Sequence, residues 1–152
     1  MHREQLITVL STIAETLLSV PLRTAETGLL FPDDALVACV LYEGSFRGAL
    51  SVTVGPTLGC ALARLMIGGR GPTCSRGDVA DAVGEIANIA AGNLRGLLAP
   101  DCQLSLPVYG LASWADELPL LARAELLMLE EPLLVELRGR SRDAVQTRHV
   151  QK

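Results

Sequence analysis

The stretch that decides the fold is Asp78–Leu98, DVADAVGEIANIAAGNLRGLL. Wound as a helix at about 100° per residue, it gathers Val83, Ile86, Ala90, Leu94 and Leu97 on one narrow arc, the expected buried face. Asp81, Glu85, Asn88 and Gly92 fall on the opposite arc as one polar stripe, with Glu85 and Asn88 neighbours one turn apart. Gly77 or Asp78 opens the helix and Pro100 closes it. Gly84, Ala87, Ala91 and Gly92 leave little bulk around the stripe, although a solvated face normally carries long side chains that favour helix. Each interior glycine costs ~1 kcal/mol relative to alanine. The glycines therefore point to close approach by another body, either a partner protein or a neighbouring element of the same fold. Asn93, on the flank towards the buried side, is expected to bond a nearby backbone group.

Working outward, Gln5–Leu18 places Leu6, Val9, Leu10, Ile13 and Leu17 on one helical stripe that Pro21 ends. Phe31-Pro32-Asp33-Asp34 reads as a turn. Ala35–Tyr42 is nearly continuous in apolar residues, as in a strand buried on both faces. After a Glu43-Gly44-Ser45 loop, Arg47–Val54 alternates like a strand, with Leu50, Val52 and Val54 on one face and Ala49, Ser51 and Thr53 on the other. Pro56 opens a second helix carrying Leu58, Leu62, Leu65 and Met66, which stops at Gly68-Gly69 before a loop over 70–77. Three more strands are predicted at Gln103–Tyr109, Leu121–Glu130 and Leu133–Arg138, the last two joined tightly at Glu131-Pro132. Pro107 cannot donate to a ladder, so it marks an edge or a bulge. Short turns between strands, with helices grouped among them, predict an α+β domain: an antiparallel sheet of five or six strands packed with three helices. A single domain is expected over 1–140, followed by a basic tail over 141–152. An apolar strand such as Leu133–Leu137, placed at an edge, would need covering or pairing, so a homodimer is expected.

The 152 residues are 49% hydrophobic and 20% charged, with mean hydropathy +0.35, which fits an ordered globular chain. Aromatics are only 3%, so the core must be built from Leu, Ala and Val. A net charge of −4 argues against nucleic acid as the main partner. No apolar run reaches the ~20 residues of a membrane span. The first twenty residues lack a signal peptide's apolar block, so a cytoplasmic location is expected. Cys39, Cys60, Cys74 and Cys102 are scattered without CxxC spacing, and His2 and His149 lie far apart. Four free thiols in a reducing compartment, and no metal site, are expected. Gly68-Gly69 lacks the following Lys-Ser/Thr of a phosphate loop. Tyr42, Tyr109 and Trp114 read as core or interface packing, since no basic residues interleave with them.

Asp81-x3-Glu85-x2-Asn88, continued by Gly92-Asn93 and by Pro107, resembles the phosphatase motif of the CheC/CheX/FliY chemotaxis family, most of all its single-site CheX branch. The Gly44-x-Phe46-x-Gly48-x-Leu50 hairpin and the Leu62–Gly68 helix end are similar too, and the resemblance spans nearly the whole chain. The gap from Asn88 to Pro107 is shorter than the family pattern, which implies a reshaped helix end or loop around Asp101. The resemblance implies a hydrolase that removes the aspartyl phosphate of a CheY-type response regulator. Asn88 would orient the attacking water and Glu85 would pair with the regulator's active-site lysine. Asp81, Gly84 and Gly92 would serve docking, and Pro107 would shape the wall beside the helix. It implies no cofactor on this chain, with Mg²⁺ held by the partner. The competing expectation is a non-catalytic CheX-like module that binds a signalling partner, in chemotaxis or another two-component circuit.

Overall fold

A computed structural model describes residues 2–26, 28–67, 74–110 and 113–142. The order is α1 (Arg3–Ile13) with a π turn over Ala14–Leu18, β1 (Leu22–Thr24), β2 (Leu36–Glu43), β3 (Phe46–Val54), α2 (Pro56–Ile67) and α3 (Arg76–Leu98). There follow β4 (Gln103–Leu104), β5 (Val108–Tyr109), a one-turn α4 (Ser113–Asp116), β6 (Leu120–Met128) and β7 (Glu131–Ser141). The α+β class holds, with a strand path β1-β6-β7-β3-β2-β4 and β5 added to β2, all pairs antiparallel.

Alternation along the strands builds one core. Val40, Leu50, Leu137 and Ala122 form one cross-strand row, and Ala38, Val52, Val135 and Ala124 the next. These rows pack with Leu6 and Leu10 of α1, Leu58 and Leu62 of α2, and Val83, Ile86, Ala90 and Leu94 of α3. On the other face, Ala115 of α4 covers Cys39 and Ala49. Arg123, Glu136 and Arg138 form an ionic row beside them. Ala38, Cys39 and Val40 are all fully buried, so the middle of β2 is covered on both faces as its sequence predicts.

The glycine hairpin has a direct explanation. Gly48 stands opposite Gly139 of β7, and the Phe46 ring lies across both. A Cβ at Gly48 would come within 2.5 Å of that ring, and one at Gly139 would also collide with it. Phe46 in turn meets Tyr42 edge-on, with ring centroids 5.6 Å apart.

Four expectations are corrected. Strand β7 is not an edge: it is paired along its length with β3 and β6, and the edges are β1 and the short β4 and β5. The dimer argument built on an exposed Leu133–Leu137 therefore fails. The β6–β7 turn lies at Leu129-Glu130, both with positive φ, and Pro132 already belongs to β7. The Gln103–Tyr109 strand is broken at Ser105–Pro107, where Ser105 Oγ accepts the Leu41 N–H at 2.9 Å. Cys60 and Cys74 are disulfide-bonded, leaving Cys39 and Cys102 as free, buried thiols. The spacing of 14 hides a pair that the packing of α2 on α3 brings together.

The folded body runs past residue 140. Ser141 pairs with Phe46, the Arg142 N–H donates to Ser45 O at 2.8 Å, and the Arg142 guanidinium meets Glu43 at 3.0 Å. The rest of the expected basic tail, Gly68-Gly69 and the Trp114 side chain lie outside the described residues. Among the described residues no helix is long and apolar enough to cross a membrane.

Candidate functional site

Helix α3 has 23 residues, about 34 Å of rigid scaffold. Its start is set by Ser75, whose Oγ accepts the Asp78 N–H at 3.0 Å. Val83, Ile86, Ala90 and Leu94 are buried as predicted, joined by Ala82, Gly84, Ala87 and Ala91. Leu97 is an exception at 58% exposed, because the helix end overhangs the sheet. At mid-helix the Tyr42 hydroxyl donates to Ala91 O at 2.9 Å, tying α3 to β2 through a buried bond.

The predicted stripe is present. Asp81, Glu85 and Asn88 are all exposed on one side of α3. Among the described residues, no side chain bonds or ion-pairs with Glu85 or Asn88. Asn93 is exposed rather than turned inward.

The small residues divide into two roles. Gly92 is half-buried, and a Cβ there would meet nothing within 4 Å. Gly84 is buried by this chain itself: a Cβ would stand 2.8 Å from the Tyr109 hydroxyl and 3.2 Å from Pro107. The close approach that the sequence predicts at Gly84 is thus made by the chain's own edge segment. Pro107 thus lies against α3 at Gly84, and the Tyr109 hydroxyl donates to Ala80 O at 2.9 Å. Partial burial, and then the nearby Asp81 carboxylate, raise the Tyr109 pKa.

The opposite flank is a groove of about 590 Å³ lined by Leu17, Leu65, Met66, Asp81, Ala82 and Glu85. Leu17 and Leu65 are nearly half exposed there. Tyr109 and Leu106 are exposed beyond the other flank, Leu106 by 84%. The acidic stripe therefore runs between two apolar shoulders. Sequence periodicity assigns Leu17 and Leu65 to buried stripes, and their helix ends carry them past the core. The only hint of this surface in the sequence is the surplus of leucines at those ends.

The loop after α3 is tight. Cys102 N–H bonds Ala99 O at 3.1 Å, and the Asp101 carboxylate accepts from the Ser45 N–H at 3.1 Å and from its hydroxyl at 2.6 Å. These bonds hold the Asp101 pKa below its ordinary value. The loop around Asp101 is thus pinned to the β2–β3 turn.

Helix α3 thus presents between apolar shoulders a carboxylate and an amide that no side chain among the described residues engages, an arrangement with the geometry to position groups on a docked protein. Residues 36–112 match the family described as Chemotaxis phosphatase CheX, and the chain belongs to that family. The fold is similar to that of chemotaxis protein CheX from Vibrio vulnificus, at 20% identity over 90% of this chain and 95% of that one, TM-score 0.71. It is also similar to CheX from Desulfovibrio desulfuricans, at 17% identity over 90% and 97%, TM-score 0.67. A third similar structure is the CheX-CheY-BeF3-Mg²⁺ complex from Borrelia burgdorferi, at 15% identity over 91% and 97%, TM-score 0.65. No curated protein matches the sequence.

Proposed function

We propose that this chain hydrolyses the aspartyl phosphate of a CheY-type receiver, with the exposed Glu85–Asn88 pair on the braced helix α3 as the observation that carries the reading. Hydrolysis of such a phosphate is an in-line attack by water, and the receiver holds the Mg²⁺ and lysine that neutralise the phosphoryl oxygens. What an outside protein adds is position. The Asn88 amide, with both a donor and an acceptor, enters the receiver site and orients the water. The Glu85 carboxylate, one turn away, pairs with the receiver lysine and fixes the register. Asp81, a further turn towards the N-terminus, supports docking. This chain binds no cofactor in the reaction, and it acts in the receiver's compartment, the cytoplasm. Membership of the CheX family and the likeness to a CheX solved with CheY support the reading.

The test is the decay rate of a phosphorylated CheY-type receiver in Mg²⁺, with and without this protein. The wild type is expected to speed decay. Asn88→Ala is expected to lose about 100-fold in turnover while still binding, as a misplaced water would dictate. Glu85→Ala is expected to weaken binding as well. Unchanged decay with the receivers of the same genome would overturn the catalytic reading, and binding without turnover would make the chain a CheX-like adaptor.

A further inference from the structure

Cys60 lies in α2, and Cys74 directly precedes the Ser75 cap of α3; their disulfide brings the Cα atoms within 5.5 Å. Both cysteines are half-buried, and a cavity of about 330 Å³ opens onto them. Pro56 and Val79 give that cavity apolar walls, while Arg76 and Asp34 place one charge of each sign at it. The bond is thus within reach of a small sulfur reagent. Cys39 and Cys102 are buried, and burial pushes the Cys39 thiol up to about 11, which leaves it inert.

We propose that Cys60–Cys74 is a thiol–disulfide exchange site for a dithiol reductant, and that its oxidation state sets how firmly the first turns of α3 are held against α2. One thiolate of the reductant attacks a sulfur of the pair, the protein S–S bond breaks, and the departing cysteine thiolate takes up a proton. The reductant's second thiol, as its thiolate, then attacks the reductant's own sulfur in the mixed disulfide and expels the remaining protein cysteine, whose thiolate takes up a proton. Cys60 and Cys74 end as two thiols, and the reductant ends as a disulfide that has given up two electrons and two protons. Oxidised dithiol of the same class reverses the step.

Opening the bond does not separate the helices. Gly59 packs so closely on α3 that a Cβ there would stand 2.5 Å from Val79 Cγ1. What is released is the segment carrying the Ser75 cap. Leu65 and Met66 of α2 face Asp81 and Glu85 of α3 across the groove, so the bond ties together the two helices that wall it.

Two measurements on the folded protein test the proposal, and neither depends on phosphatase activity. After treatment with oxidised dithiothreitol, non-reducing peptide mapping should recover Cys60 linked to Cys74. Reduced dithiothreitol should then raise the natively reactive thiols from zero to two per chain, with Cys39 and Cys102 silent. Hydrogen exchange should become faster at residues 74–81 on reduction, stay unchanged over Ala87–Leu94, and return on reoxidation. Cys60→Ser/Cys74→Ser should match the reduced state and ignore the reagent; should that variant fail to fold, reduced and alkylated wild type serves in its place. Recovery of Cys60 and Cys74 as thiols after oxidation, or equal exchange at 74–81 in both states, overturns the proposal.

Discussion

Gly84 and Gly92 lie two turns apart on α3, yet a methyl group should act in opposite directions at the two. At Gly92 the space is open, and alanine removes a glycine's entropy cost. Gly92→Ala should stabilise by about 0.5–1 kcal/mol in denaturant unfolding. At Gly84 the methyl meets the Tyr109 hydroxyl and Pro107, and the Ser105–Tyr109 segment must retreat from the helix. Gly84→Ala should cost about 1–3 kcal/mol in the same measurement and speed amide exchange in β5. Asp101 supplies a test with a pH sign. Its pKa is lowered by the Ser45 bonds, so its contribution is complete above the ordinary carboxylate range. That contribution is lost as pH falls through the lowered value. The Ser45 amide shift, followed by NMR, should show an acid inflection below the ordinary carboxylate range, and Asp101→Asn should abolish it.

At the scale of elements, the disulfide between α2 and α3 has a thermodynamic signature. It closes a span of 14 residues, so removing it should cost about 3 kcal/mol. For a chain of this size Tm should fall by about 6–12 °C, read in a thermal scan of wild type against Cys60→Ser/Cys74→Ser. Helix α3 is legible in the sequence because its apolar and polar residues separate cleanly at helical period and Pro100 stops it. The exposed stripe of Asp81, Glu85 and Asn88 follows from the same wheel. What covers Gly84 does not, because Pro107 and Tyr109 arrive from a strand edge that no helical period encodes. The pairing of Cys60 with Cys74 is hidden for a similar reason: spacing shows adjacency along the chain, and the helix packing sets adjacency in space. Strand segments are readable from alternation, but strand order is not, which is why an apolar β7 can be mistaken for an edge.

For the whole molecule, the site is an acidic line between apolar shoulders on a chain of net charge −4. Association with a receiver that offers a lysine should weaken with added salt, mainly through the on-rate. In stopped-flow mixing Asp81→Asn should show a flatter salt dependence than wild type. Leu65→Ala should leave that slope unchanged and raise the off-rate, since its contribution is apolar area.

Strand β7 has a consequence for how the chain reaches this state. Phe46 lies opposite Ser141 and Val54 opposite Leu133, and the Glu43–Arg142 contact joins residues 99 apart. The β2–β3 hairpin can form early from local pairing, but one side of β3 stays open until the sequence of both long helices and of β6 has been laid down. Closing so distant a pairing is slow, on the order of milliseconds to seconds. Until β7 arrives, the open edge of β3 is a largely apolar template, and a nascent or refolding chain at high concentration risks pairing it with a neighbour's. A strand that gives the finished sheet its centre is therefore, for a time, the absence that exposes the chain to aggregation.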